Sequence, residues 1–121
     1  MQISEKEWLV LDVLWDIPDG ATLGQLTQAL REATLWNRNT VLTYLTRMEA
    51  KGLVSVGAEG YPRLYRASVS RKDCQAQARS DFLNRVYRGS AGDLVAAFLK
   101  EEPLSAAERE SLRRLLDEME V

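Results

Sequence analysis

The sequence contains no histidine and a single cysteine. The first absence removes the commonest general base and the commonest metal ligand, and with them every histidine-containing triad. The second rules out a disulfide within the chain and any metal site built from several thiolates. Cys74 sits in the polar stretch Lys72-Asp73-Cys74-Gln75 and reads as a plain thiol on a helix, with no second cysteine to resolve an oxidised form. No apolar run approaches the roughly 18 residues that a membrane helix needs, so no membrane insertion is expected. The residues from Met1 to Trp8 lack a basic-then-apolar signal region, which points to a cytoplasmic location. Neither a glycine-rich phosphate loop nor a zinc-binding HExxH helix occurs. Catalysis, cofactors and metals are all disfavoured by these absences.

What is present is an ordinary globular mix, 121 residues of which 45% are hydrophobic and 28% charged. That is room for one compact domain, or a small domain with an appendage. The net charge of −2 taken alone argues against a nucleic-acid partner. Its distribution argues the other way. Residues 1–30 carry one basic and five acidic side chains, residues 31–88 eleven and five, and residues 89–121 four and eight. A basic middle between acidic ends can face an anionic partner locally while the molecule stays soluble.

Four segments open with a hydroxyl followed three residues later by an acid or amide, the capping-box pattern: Ser4/Glu7, Thr22/Gln25, Ser70/Asp73 and Ser105/Glu108. A first helix follows Ser4 and stops at Ile17-Pro18-Asp19-Gly20, where Pro18 has no amide hydrogen to donate. A second spans about Thr22 to Ala33. A third begins near the N-cap Asn37 and closes at Lys51-Gly52, glycine being suited to the left-handed residue that ends many helices. Two β-rich runs follow, Leu53–Val56 and Leu64–Val69, with turn residues 57–63 between them: a hairpin.

Helix, helix, helix, hairpin, with only a few residues around Leu35 between the second and third helices, is the winged helix-turn-helix order. At about 100° per residue, Val41, Tyr44, Leu45 and Met48 share the core face of the third helix. Asn39, Thr43, Thr46 and Ala50 share the opposite face, with Leu42 and Arg47 flanking it. Small polar side chains allow close approach to a groove, and Asn and Thr can bond base edges or phosphates. Leu42 suits a thymine methyl. Arg38, with Thr40, lies in the first turn, where the helix N-terminus favours a phosphate. Arg47, Lys51, Arg63 and Arg66 are candidates for backbone neutralisation, and Tyr61 and Arg63 at the hairpin tip for phosphate or minor groove. Trp8, Trp15 and Trp36 read as packing residues.

The last 50 or so residues exceed what a winged helix needs. They carry three apolar stripes: Phe82, Leu83, Val86 and Tyr87; Leu94, Val95, Phe98 and Leu99; Leu112, Leu115, Leu116 and Met119. So short a tail cannot bury all three by itself, and pairing with a second copy is the simplest solution. The expected architecture is mainly α with a small β-hairpin: a winged-helix DNA-binding domain over residues 1–70 and a helical dimerisation region over 71–121.

Three runs carry a family resemblance: Ile3-Ser4-x-x-Glu7-Trp8-x-Val10-Leu11-x-x-Leu14-Trp15, then Asn39-Thr40-Val41-x-Thr43-x-Leu45-Thr46-Arg47-Met48-x-x-Lys51-Gly52, then Phe82-Leu83-x-x-Val86-Tyr87-x-Gly89. Together they resemble the penicillinase-repressor (BlaI/MecI-type) family over about residues 3–117. The resemblance implies a transcriptional repressor, homodimeric through its C-terminal helices, on a palindromic operator of β-lactam-response or related genes. It also implies inactivation through a membrane-sensor-linked protease that cuts an Asn–Phe bond in the dimerisation region. That bond corresponds here to Ala97–Phe98, keeping the Phe and replacing the Asn. Leu42 stands where relatives often carry a basic residue, and the cysteine cluster of the copper-responsive branch is absent. The residues themselves leave two other readings open: a winged-helix protein–protein adaptor and a ligand-sensing regulator.

Overall fold

The computed structural model describes residues 2–57 and 60–119. Its elements are α1 (Glu5–Trp15), α2 (Leu23–Thr34), α3 (Arg38–Ala50), β1 (Val54–Val56), β2 (Tyr65–Ala67), α4 (Arg71–Val86), α5 (Ala91–Glu101) and α6 (Ala106–Glu118). The chain divides into two compact units, Met1–Ala78 and Arg79–Val121. The division therefore falls inside α4, not before it at the expected residue 70.

The reason lies in the first turns of α4. Arg71 sits over the Trp15 ring, 5.2 Å from its centroid, and its guanidinium is 3.5 Å from Asp16 and 3.9 Å from Asp12. Just before it, the Trp15 indole N–H donates to Val69 O at 2.8 Å. Cys74 is buried, and burial together with the neighbouring Asp73 raises its thiol pKa. The start of α4 is thus part of the first unit.

Local chemistry sets the helix ends. Full capping boxes form at Ser4/Glu7, Thr22/Gln25 and Ser105/Glu108, and Ser70 accepts from the Asp73 amide at 3.0 Å. In the first unit Val10, Leu11, Leu14, Leu26, Leu30, Val41, Leu45, Met48 and Leu53 are fully buried and form one core. β1 and β2 pair antiparallel, Val56 opposite Tyr65 and Val54 opposite Ala67. The strands are shorter than the β-rich runs. Tyr65 also exchanges backbone hydrogen bonds with Ala21, at 2.8 and 2.9 Å, so the residue before α2 ties the hairpin to the helices. Gly20 makes this approach possible: its φ is +104°, and a Cβ there would meet Leu64 Cβ at 3.1 Å. Three helices packed on this hairpin form a winged helix-turn-helix. Ala58 and Glu59 of the expected turn lie outside the described residues.

The second unit contains the end of α4, then α5 and α6. Among its described residues none is buried. No described helix is long and apolar enough to cross a membrane.

Candidate nucleic-acid interface

The centre of the site is α3, fixed at both ends. Asn37 Oδ1 accepts from the Thr40 amide at 2.9 Å and from the Thr40 hydroxyl at 3.2 Å. Thr40 is therefore half-buried and engaged in the cap, at the edge of the site. At the far end Leu53 N–H donates to Met48 O and Gly52 N–H to Glu49 O, the paired bonds of a Schellman closure, with Gly52 at φ +82°. Trp36 stacks on Tyr44, centroids 4.5 Å apart, and so pins the turn before α3 to its buried side.

Lys51 stands apart from the other cationic candidates. Its ammonium donates to Glu7 Oε1 at 2.8 Å, to Glu7 Oε2 at 3.0 Å and to Gln2 O at 2.8 Å. Glu7 is buried and also accepts from the Ser4 amide. Burial raises the Glu7 pKa, but the hydrogen bonds and charge of Lys51 and the bonds from Ser4 outweigh it, so the pKa is lowered overall. Lys51 thus joins the end of α3 to the start of α1. Its charge is paired with that of Glu7, while its side chain stays partly exposed.

Asn39, Leu42, Thr43, Thr46, Arg47 and Ala50 are exposed, opposite buried Val41, Leu45 and Met48. The two threonine hydroxyls are not idle. Thr43 donates to Asn39 O and Thr46 to Leu42 O, both at 2.9 Å. Each keeps its oxygen lone pairs and its methyl for a partner, while its hydrogen serves the helix. Leu42 is 39% exposed.

Arg38, Tyr61 and Arg63 come together. With Thr22, Gly24 and Tyr65 they line a cleft of about 360 Å³ between the start of α2, the start of α3 and the hairpin. Tyr61 is 93% exposed. Arg66 is exposed on β2 opposite Ser55, outside that cleft. A second cleft joins Arg38 to Arg31, Gln28, Thr27 and Gly24. Arg31, Gln28 and Gly24 belong to none of the sequence motifs that mark the site. The available signal was the polar, small-residue side of α2, which faces the start of α3.

In the second unit Phe82, Val86, Val95, Phe98, Leu99, Leu112, Leu115, Leu116 and Met119 are exposed, while Leu83, Tyr87 and Leu94 are half-buried. Phe82 and Tyr87 rings are 5.9 Å apart. Leu99, Leu112 and Leu116 line an open groove between α5 and α6. The Ala97–Phe98 peptide lies in the body of α5. Among the described residues no group of His, Cys, Asp and Glu side chains is placed to hold a metal ion.

The sequence and the fold have counterparts among known proteins. The chain is 28% identical over 116 residues to the methicillin resistance regulatory protein MecI of Staphylococcus aureus, covering 96% of this chain and 94% of that protein. It is 29% identical over 117 residues to the penicillinase repressor of Bacillus licheniformis, covering 97% and 91%. Among solved structures it resembles monomeric Bacillus licheniformis BlaI in complex with the blaP half-operator, with TM-score 0.52 and 26% identity over 60% of this chain and 88% of that one. These relatives are named as regulators and repressors, not enzymes. The model of the penicillinase repressor family matches residues 3–118, and the chain belongs to that family.

Proposed function

We propose that the chain is a transcriptional repressor that binds duplex DNA as a homodimer, laying α3 in the major groove of each half of a palindromic operator. One observation carries this most: a capped, rigid helix presents small exposed side chains beside a cleft lined by Arg38, Arg63 and Tyr61. Asn39, Thr43, Thr46 and Leu42 face base edges; Arg38, Arg47, Arg63 and Tyr61 hold the backbone. Thr40 contributes through the α3 cap, and Lys51 through the anchoring of α3. The similarity to a BlaI solved in complex with a half-operator supports DNA binding by this chain.

The homodimer reading is supported by a second unit in which no described residue is buried and apolar side chains are open along three helices. Two copies related by a two-fold axis would read an inverted repeat, its half-sites spaced by helical turns. The names of the relatives favour β-lactam-response genes as targets. Proteolysis fits as the off-switch: cutting Ala97–Phe98 needs α5 to unwind locally, and separates Leu112, Leu115 and Leu116 from the rest. Burial of each is worth about 1.5–3 kcal/mol, so dimer affinity and the bivalent grip on DNA fall together.

Fluorescence anisotropy with duplex DNA at graded salt tests this. Binding weakens log-linearly with salt, and Asn39→Ala or Thr43→Ala lowers specific binding more than non-specific binding. Binding that is absent at moderate salt would favour the adaptor reading, and equal losses on all sequences would mean that another surface reads the bases.

A further inference from the structure

The exposed face of α3 is short of hydrogen-bond donors. Leu42 has none, and neither does Ala50. The hydroxyl hydrogens of Thr43 and Thr46 are directed to the carbonyls of Asn39 and Leu42, both at 2.9 Å. These four residues therefore present methyl groups and oxygen lone pairs. Beside these four, donors enter through Asn39, through Arg47 at the flank away from Leu42, and through Arg38 one turn before Leu42. Guanine offers two acceptors in the major groove, which this strip cannot satisfy. Thymine offers a 5-methyl group, and adenine and cytosine an amino donor that a threonine oxygen can accept. Asn39, lying next to the strip, has the amide that pairs with both major-groove atoms of adenine.

We propose that Leu42, backed by the Thr46 methyl, is a specificity-determining residue that selects a thymine in each half-site by packing on its 5-methyl group. This refines the DNA-reading role proposed above for α3 and rests on it. Leu42 is already 39% exposed, so truncating it does not open the core and the fold survives the test.

The experiment starts from random-sequence duplexes selected on the full-length chain. Each thymine of the selected half-site is then replaced by deoxyuridine, which removes the methyl and leaves every hydrogen-bonding atom. At one thymine of the half-site, loss of a buried methyl weakens binding about fourfold. In Leu42→Ala the same replacement has no effect, so the two changes together weaken binding no more than Leu42→Ala does alone. Melting curves check that the variant is folded. A half-site without thymine, a wild-type chain indifferent to deoxyuridine at every position, or a deoxyuridine effect undiminished in Leu42→Ala overturns the proposal while leaving DNA binding by α3 in place. Failure to select any duplex removes both.

Discussion

Lys51 and Glu7 show how a single contact can alter the part a residue plays. From its position beside Gly52, Lys51 reads as a cation at the end of a DNA-facing helix. Its partner lies 44 residues away in sequence, and no local pattern announces a pairing across the fold. Removing Lys51 leaves a buried carboxylate without its counter-charge. Because the Lys51 side chain is 38% exposed, the cost lies between those of surface and buried pairs, about 1–2 kcal/mol. Urea denaturation of Lys51→Ala measures it. With folded protein, the slope of log affinity against log salt stays at the wild-type value in Lys51→Ala, whereas Arg47→Ala or Arg63→Ala lowers it by about 0.9 for a lost phosphate contact. Glu7 adds a pH signature. Its folded pKa lies below the unfolded one, so its stabilisation is fully present above the unfolded pKa and disappears as pH falls through the folded pKa. Unfolding free energy measured from pH 7 downward loses this component below the ordinary carboxylate range, and Glu7→Gln lacks it at every pH.

At the scale of elements, the features that were legible were the local ones. Asn37 and Gly52 bracket α3 in the sequence because caps are set by a residue and its near neighbours. The apolar period separates Val41, Leu45 and Met48 from the exposed face for the same reason. The strands were legible in place but not in extent, because their ends depend on pairing partners. The bond between Ala21 and Tyr65 joins residues with no shared motif. Leu35 was visible only as a connector. It caps α2 in the left-handed region at φ 59°, with its side chain 85% exposed. A Cβ in that conformation costs about 1–2 kcal/mol, partly offset by the extra unfolded-state freedom of glycine. Leu35→Gly is expected to stabilise the first unit by about 0.5–1 kcal/mol, read as a rise in Tm. The hidden use of the Thr43 and Thr46 hydroxyls was likewise beyond sequence, since a threonine on a wheel does not reveal which carbonyl it bonds.

For the whole molecule, the charge pattern and the surplus of apolar stripes mattered more than any single motif. The basic middle of the chain holds both the exposed face of α3 and the Arg38–Arg63 cleft. Most side chains of the stripes from Phe82 to Met119 remain exposed on a single chain. The unit boundary was less legible, because Arg71 and Cys74 join α4 to the first unit through tertiary contacts. If the open stripes form the dimer, Leu115→Glu shifts sedimentation from dimer to monomer at micromolar concentration. It also weakens binding to a two-half-site operator by about a hundredfold or more, while leaving single half-site binding unchanged. The most direct test of the central claim, that two copies read DNA through α3, is selection of genomic fragments on the full-length chain with sequencing of what is retained. The expected result is an enriched inverted repeat whose half-site changes when Asn39 or Leu42 is replaced. Retention without an enriched sequence, or a motif indifferent to both replacements, would contradict it.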